Sequence, residues 1–185
     1  MQPDRRPKRA DARRNWDRLV AEARASFAER GVDASLDDIA RRAGVGSGTL
    51  YRHFPTRDAL LEAVFADAVH ALADQARSLA GTETPADALG AWLRLFVAHV
   101  RTYRGIGTRL MDAADTPEFM ASCHDVVRDS LRSLLDPARA AGAVRADVDL
   151  SDLLRLVNGV ALAADGSPEG ADRLLALAWR GVASA

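Results

Sequence analysis

Apolar side chains recur along this chain at three- and four-residue intervals, and nowhere do they alternate for the length of a strand. Trp16, Leu19, Val20, Ala23 and Phe27 take the i, i+3, i+4, i+7, i+11 positions of one helix face, and the stripe stops at Gly31. The same spacing returns in Leu36, Ile39, Ala40 and Ala43, in the pair Leu50 and Phe54, and in Leu61, Val64, Phe65, Ala68 and Leu72. Beyond those, Leu89, Trp92, Leu93, Phe96, Val100 and Tyr103 predict a fifth helix, Gly105 to Ala113 a short sixth, and Phe119, Met120, Cys123, Val127, Leu131 and Leu134 a seventh. An eighth follows Asp149 as its cap, and a ninth runs from about Pro168. The expectation is an all-α fold of about nine helices. Composition agrees, since 37 residues are alanine and 24 of the 25 basic residues are arginine, both strong helix formers.

The breaks are chemically specific. Ser35 with Asp38 three residues on is a capping-box pattern. Thr84-Pro85, Thr116-Pro117 and Ser167-Pro168 each place a capping hydroxyl before a proline at the first helical position. Pro55 forbids easy continuation of the third helix, and Pro137 is expected to kink or restart the seventh before Gly142.

With 185 residues, 48% of them apolar, the chain is long enough for a sizeable core. No stretch is apolar for long enough to span a membrane, and no apolar run follows the basic start, so a non-secreted protein is expected. The single cysteine, Cys123, cannot form an internal disulfide, which fits a reducing cytoplasm. Charge is unevenly spread: residues 1–60 hold 13 Lys/Arg against 9 Asp/Glu, and residues 61–185 hold 12 against 17. The basic end is therefore the one suited to a polyanion. Residues 1–14, with six Lys/Arg and two prolines, read as a flexible basic arm. Residues 15–60 then form one module and residues 61–185 a helical C-terminal domain.

Residues 35–54, SLDDIARRAGVGSGTLYRHF, carry the chemistry. Two short helices meet at a turn where Gly44 permits a positive φ, Ala40 and Ala43 are small where the helices cross, and Ile39, Val45 and Leu50 supply a joint core. Ser47, Thr49, Tyr51, Arg52 and His53 remain outward, all donors or acceptors suited to phosphate oxygens or base edges. This is a helix-turn-helix layout.

With DIARRAGVGSGTLYRHFPTRDALLEAV read as one motif, residues 15–65 resemble the DNA-binding domain of the TetR/AcrR family of bacterial transcriptional regulators. AWLRLFVAHVRTYRGIG and AARAAGAVRADVDLSDLLRLVNGVAL are similar to the SbtR-like class of C-terminal domains in that family. The resemblance implies a homodimer that binds double-stranded operator DNA and represses until a small-molecule effector releases it. Ser35 matches a phosphate-contacting hydroxyl, Ser47 and Thr49 match base-reading positions, and Gly48 matches a position of close backbone approach. Tyr51 and His53 match phosphate contacts, Arg52 matches a variable position and is the candidate for base readout, and Arg57 matches a basic residue that pins the DNA backbone. Gly46 departs from the family's usual Ser or Thr and removes one possible phosphate contact.

Dimerisation is implied through the last two helices, with Leu153, Leu154, Val157, Leu174, Leu175 and Ala178 at the interface. The eighth helix is apolar on more than one face, which calls for burial by its own domain and by something else. Trp92, Phe96, Tyr103, Met111, Phe119 and Met120 suit either a core or an effector pocket. Enzyme chemistry finds no support: Cys123 and His124 are adjacent on a helix and point about 100° apart. His70, His99 and His124 lack metal-ligand spacing, and no cofactor is expected. The rival reading is a helical ligand-binding or interaction protein without DNA-binding activity.

Overall fold

The computed structural model describes residues 10–112, 117–164 and 167–184. They form eight α-helices: α1 Ala10–Arg30, α2 Leu36–Arg42, α3 Ser47–His53, α4 Arg57–Thr82, α5 Pro85–Asp112, α6 Pro117–Ala140, α7 Leu150–Ala163 and α8 Pro168–Val182. Among the described residues the β pairing is confined to an isolated antiparallel bridge between Val144 and Ala183. The fold is all-α. Eight helices stand where about nine were expected, because α5 runs unbroken through Gly105 and Gly107. A helical glycine costs about 1 kcal/mol, which the flanking helical hydrogen bonds offset. Likewise α1 begins at Ala10, so the last residues of the expected arm are helical, while residues 1–9 lie outside the described residues.

Helix starts follow the expected chemistry. Ser35 Oγ accepts from Asp38 N, Thr84 Oγ1 from Asp87 N, and Ser167 Oγ from Gly170 N. Asp149 accepts from the amides of Ser151 and Asp152, which hold its carboxyl below the usual range. Thr116 lies outside the described residues. α6 passes through Pro137 without restarting and ends in a Schellman turn, with Gly142 at φ 70°.

The described residues form two compact units, one from residues 10–68, 103–112 and 117–122, the other from 69–102, 123–164 and 167–184. In the first, α1 packs on α2 and α2 on α3. Leu19, Val20, Phe27, Ile39, Leu50, Phe54, Leu60, Leu61 and Val64 are buried there. Trp16 and Phe54 meet with ring centroids 5.8 Å apart, fixing the end of α3 to α1. Phe65 meets Phe119 edge-on at 6.4 Å, and Arg109 pairs with Asp58 at 3.3 Å, so the last turns of α5 and the first of α6 close over α4.

In the second unit, Trp92 is fully buried, stacks on Phe96 at 5.6 Å and donates its indole N–H to the Leu72 carbonyl at 3.1 Å. α7 packs against α8, burying Leu153, Val157, Val160 and Leu175. Arg139 donates to the Val148 carbonyl, holding the loop between α6 and α7 to α6, and Arg145 N donates to Val182 O, tying that loop to the end of α8.

Candidate nucleic-acid interface

The turn between α2 and α3 is built from backbone geometry only glycine adopts readily. Gly44 sits at φ 69°, its N–H donates to Arg41 O, and the Val45 N–H donates to Ala40 O, a Schellman closure. Ile39, Ala40, Ala43 and Leu50 are buried beneath it. α2 is also clamped to α1 by charge: Arg42 reaches Glu22 at 3.1 Å and Glu29 at 2.9 Å. Arg42's hydrogen bond and then its charge hold the Glu29 carboxyl below the usual range. Arg30 and Arg41 both pair with Asp38. In the sequence, Glu22 and Glu29 at i and i+7 on α1 are the one signal for the Arg42 clamp.

Each expected contact residue has a definite setting. Ser35 is exposed at the α2 cap. Ser47, half-buried at the start of α3, donates its hydroxyl to Asp37 Oδ1 at 2.6 Å. Gly48 is exposed, with open space where a Cβ would stand. Arg52 is exposed and lies along α3, its Nη2 donating to Thr49 Oγ1 at 3.3 Å. Tyr51 is 47% exposed, a large apolar ring left in water. His53 is half-buried against Phe54, and burial followed by the Arg52 charge lowers its pKa. Arg57, also half-buried, points its Nη1 at the carbonyls of Val32 and Ala34, at 2.8 and 2.7 Å.

The other expected sites divide. Trp92 and Phe96 belong to the second unit, whereas Tyr103, Met111, Phe119 and Met120 belong to the first. Phe119 and Met120 are buried, Tyr103 is half-buried, and Met111 is 72% exposed. Of the residues expected at a dimer interface, Leu153, Val157 and Leu175 are buried within the chain's own unit and Leu154, Leu174 and Ala178 are half-buried. The exposed large apolar side chains on α7 and α8 are Leu156, Leu162 and Leu177, at 43%, 50% and 60% exposure. Leu162 and Leu177 lie on the far side of their helices from the core stripe, which was their signal, whereas Leu156 borders the stripe of α7. Among the described residues no group of three His, Cys, Asp or Glu side chains could hold a metal, and no helix is long and apolar enough to cross a membrane.

Residues 19–64 match the profile described as bacterial regulatory proteins, tetR family, and residues 84–184 match that of the SbtR-like transcriptional regulator C-terminal domain. The HTH-type transcriptional repressor KstR2 of Mycolicibacterium smegmatis is 30% identical over 166 residues, covering 85% of this chain and 79% of that protein. A TetR transcriptional regulator of Streptomyces coelicolor superposes with a TM-score of 0.77 at 37% identity, covering 91% of this chain and 98% of that one. A TetR regulatory protein of Mycobacterium vanbaalenii gives 0.77 at 35% identity, covering 96% and 100%. The tetR-family profile falls on the helix-turn-helix residues and the SbtR-like profile on the C-terminal helices, and the chain belongs to the TetR family of helix-turn-helix transcriptional regulators.

Proposed function

We propose that the protein is a cytoplasmic repressor that binds a pseudo-palindromic operator as a homodimer and is released by a small-molecule effector. The observation that carries the DNA-binding half is α3 itself. It is a seven-residue helix anchored by Leu50 and Phe54, with Tyr51 and Arg52 exposed on its outer side.

Ser47, Thr49 and Arg52 read base edges in this account, Gly48 admits close backbone approach, and Ser35, Tyr51 and His53 hold phosphates. A neutral His53 imidazole brings one N–H donor to an anionic oxygen. Arg57 positions the loop between α1 and α2 while its remaining N–H groups face the DNA backbone. Repression accords with the description of KstR2 as a repressor. Leu156, Leu162 and Leu177 offer the apolar surface a second copy would cover, with the half-buried Leu154, Leu174 and Ala178 beside them. A two-fold pair of recognition helices demands a two-fold operator. The candidates for effector contact are Trp92 and Phe96 in the second unit and, separately, Tyr103, Met111, Phe119 and Met120 in the first.

Sedimentation of the protein on its preferred duplex tests the reading. Two protomers per duplex are expected, and a single protomer bound tightly to a palindrome contradicts it. Effector release is tested by screening small apolar molecules for a loss of operator affinity of about 5- to 150-fold. A screen in which every true binder of the protein leaves operator affinity unchanged contradicts that part.

A further inference from the structure

We propose that Asp37 fixes the hydrogen-bonding direction of Ser47, so that this serine selects an exocyclic amino group, adenine N6 or cytosine N4, on one strand of the operator. The inference rests on the reading of α3 as the recognition helix. Asp37 lies in the first turn of α2 and Ser47 opens α3, and the glycine turn brings their side chains to 2.6 Å. An ionised carboxylate has no proton to give, so the serine hydroxyl must be the donor. Charge-assisted bonds of this length are among the stronger hydrogen bonds in proteins.

A hydroxyl has one proton. With it turned toward Asp37, Ser47 presents only lone pairs to a partner. Phosphate oxygens, guanine O6 and N7, and thymine O4 are all acceptors and cannot pair with it. The major-groove donors are the amino groups of adenine and cytosine. Thr49 has the opposite polarity, since its Oγ1 already accepts from Arg52 at 3.3 Å and its own proton is free for an acceptor. Two residues apart on α3, Ser47 therefore presents an acceptor and Thr49 a donor, about 200° from each other around the helix axis.

The test is selection from random duplex DNA with four proteins: unmodified, Ser47→Ala, Asp37→Ala and the double variant. The position read by Ser47 is the one whose preference disappears in Ser47→Ala. There the unmodified protein should favour adenine or cytosine over thymine and guanine on one strand by about 3- to 10-fold. Asp37→Ala frees the proton, so that position should accept all four bases while the others keep their preferences, and the double variant should match Ser47→Ala. Loss of the Asp37 charge can raise overall affinity for DNA, but a uniform gain leaves the base ratios untouched. A preference for guanine or thymine at that position, its survival in Asp37→Ala, or no position altered in Ser47→Ala overturns the inference while leaving the regulator reading intact. Absence of any sequence preference in the unmodified protein overturns both.

Discussion

The guanidinium of Arg57 donates through Nη1 to the carbonyl oxygen of Ala34 at 2.7 Å, and the same nitrogen serves Val32 at 2.8 Å. One side chain at the start of α4 thus closes the loop that leads into α2. Backbone carbonyls in such a loop have no helical partner, and losing a charged donor leaves them with an unmet requirement. Arg57→Ala should lower the unfolding free energy by about 1–3 kcal/mol, read from urea denaturation. Tyr51→Ala, on an exposed ring, should stay within about 0.5 kcal/mol yet weaken binding to all DNA sequences about equally. Equal stability of the Arg57 variant and the unmodified protein would remove the loop-pinning role.

Burial holds the His99 imidazole well below its usual value, at about 4. The folded state therefore resists a proton that the unfolded chain accepts below about pH 6.5. Stability from this group is complete above that value and is lost as pH falls through the folded pKa, a total of up to about 3 kcal/mol. Denaturation midpoints of the unmodified protein should fall relative to those of His99→Leu as pH drops from 7 to 4. Parallel pH profiles for the two proteins would show that the imidazole binds its proton equally well in the folded and unfolded chain.

Leu175 and Leu177 stand two residues apart on α8 with opposite fates, one buried and the other 60% exposed. Leu175→Ala should cost about 2–5 kcal/mol of stability. Leu177→Glu should leave the fold unharmed and shift the protein from dimer to monomer in sedimentation, more so when combined with Leu156→Glu. If that pair of substitutions left self-association unchanged, the apolar outer surface of α7 and α8 would not be where two copies meet.

Much of the fold was legible because its signals are local. Ser35, Asp149 and Ser167 cap the helices their positions announced, and Gly44 takes the positive φ that its turn demanded. Burial of Leu50 and Phe54 followed from their spacing on one short helix. What escaped was non-local. Gly105 predicts a break in α5, yet helical hydrogen bonding carries the backbone through it, with Val32 close beside it. Arg57 binds carbonyl oxygens, which have no residue identity to read. Asp37 and Ser47 meet only because the turn folds ten residues of chain back on itself. Leu153 and Leu156 look alike in a sequence stripe, and only the packing of α7 on α8 separates the core residue from the surface one.

Selection of bound sequences from random duplex DNA, carried out with the unmodified protein and with Arg52→Ala, tests sequence-selective recognition by α3 most directly. The account predicts an enriched inverted repeat for the unmodified protein. In Arg52→Ala the preference at particular base pairs, worth about 1–3 kcal/mol each, should relax symmetrically in both half-sites while the rest of the repeat persists. Binding with no enriched sequence, or a repeat identical in every position for the two proteins, would contradict it.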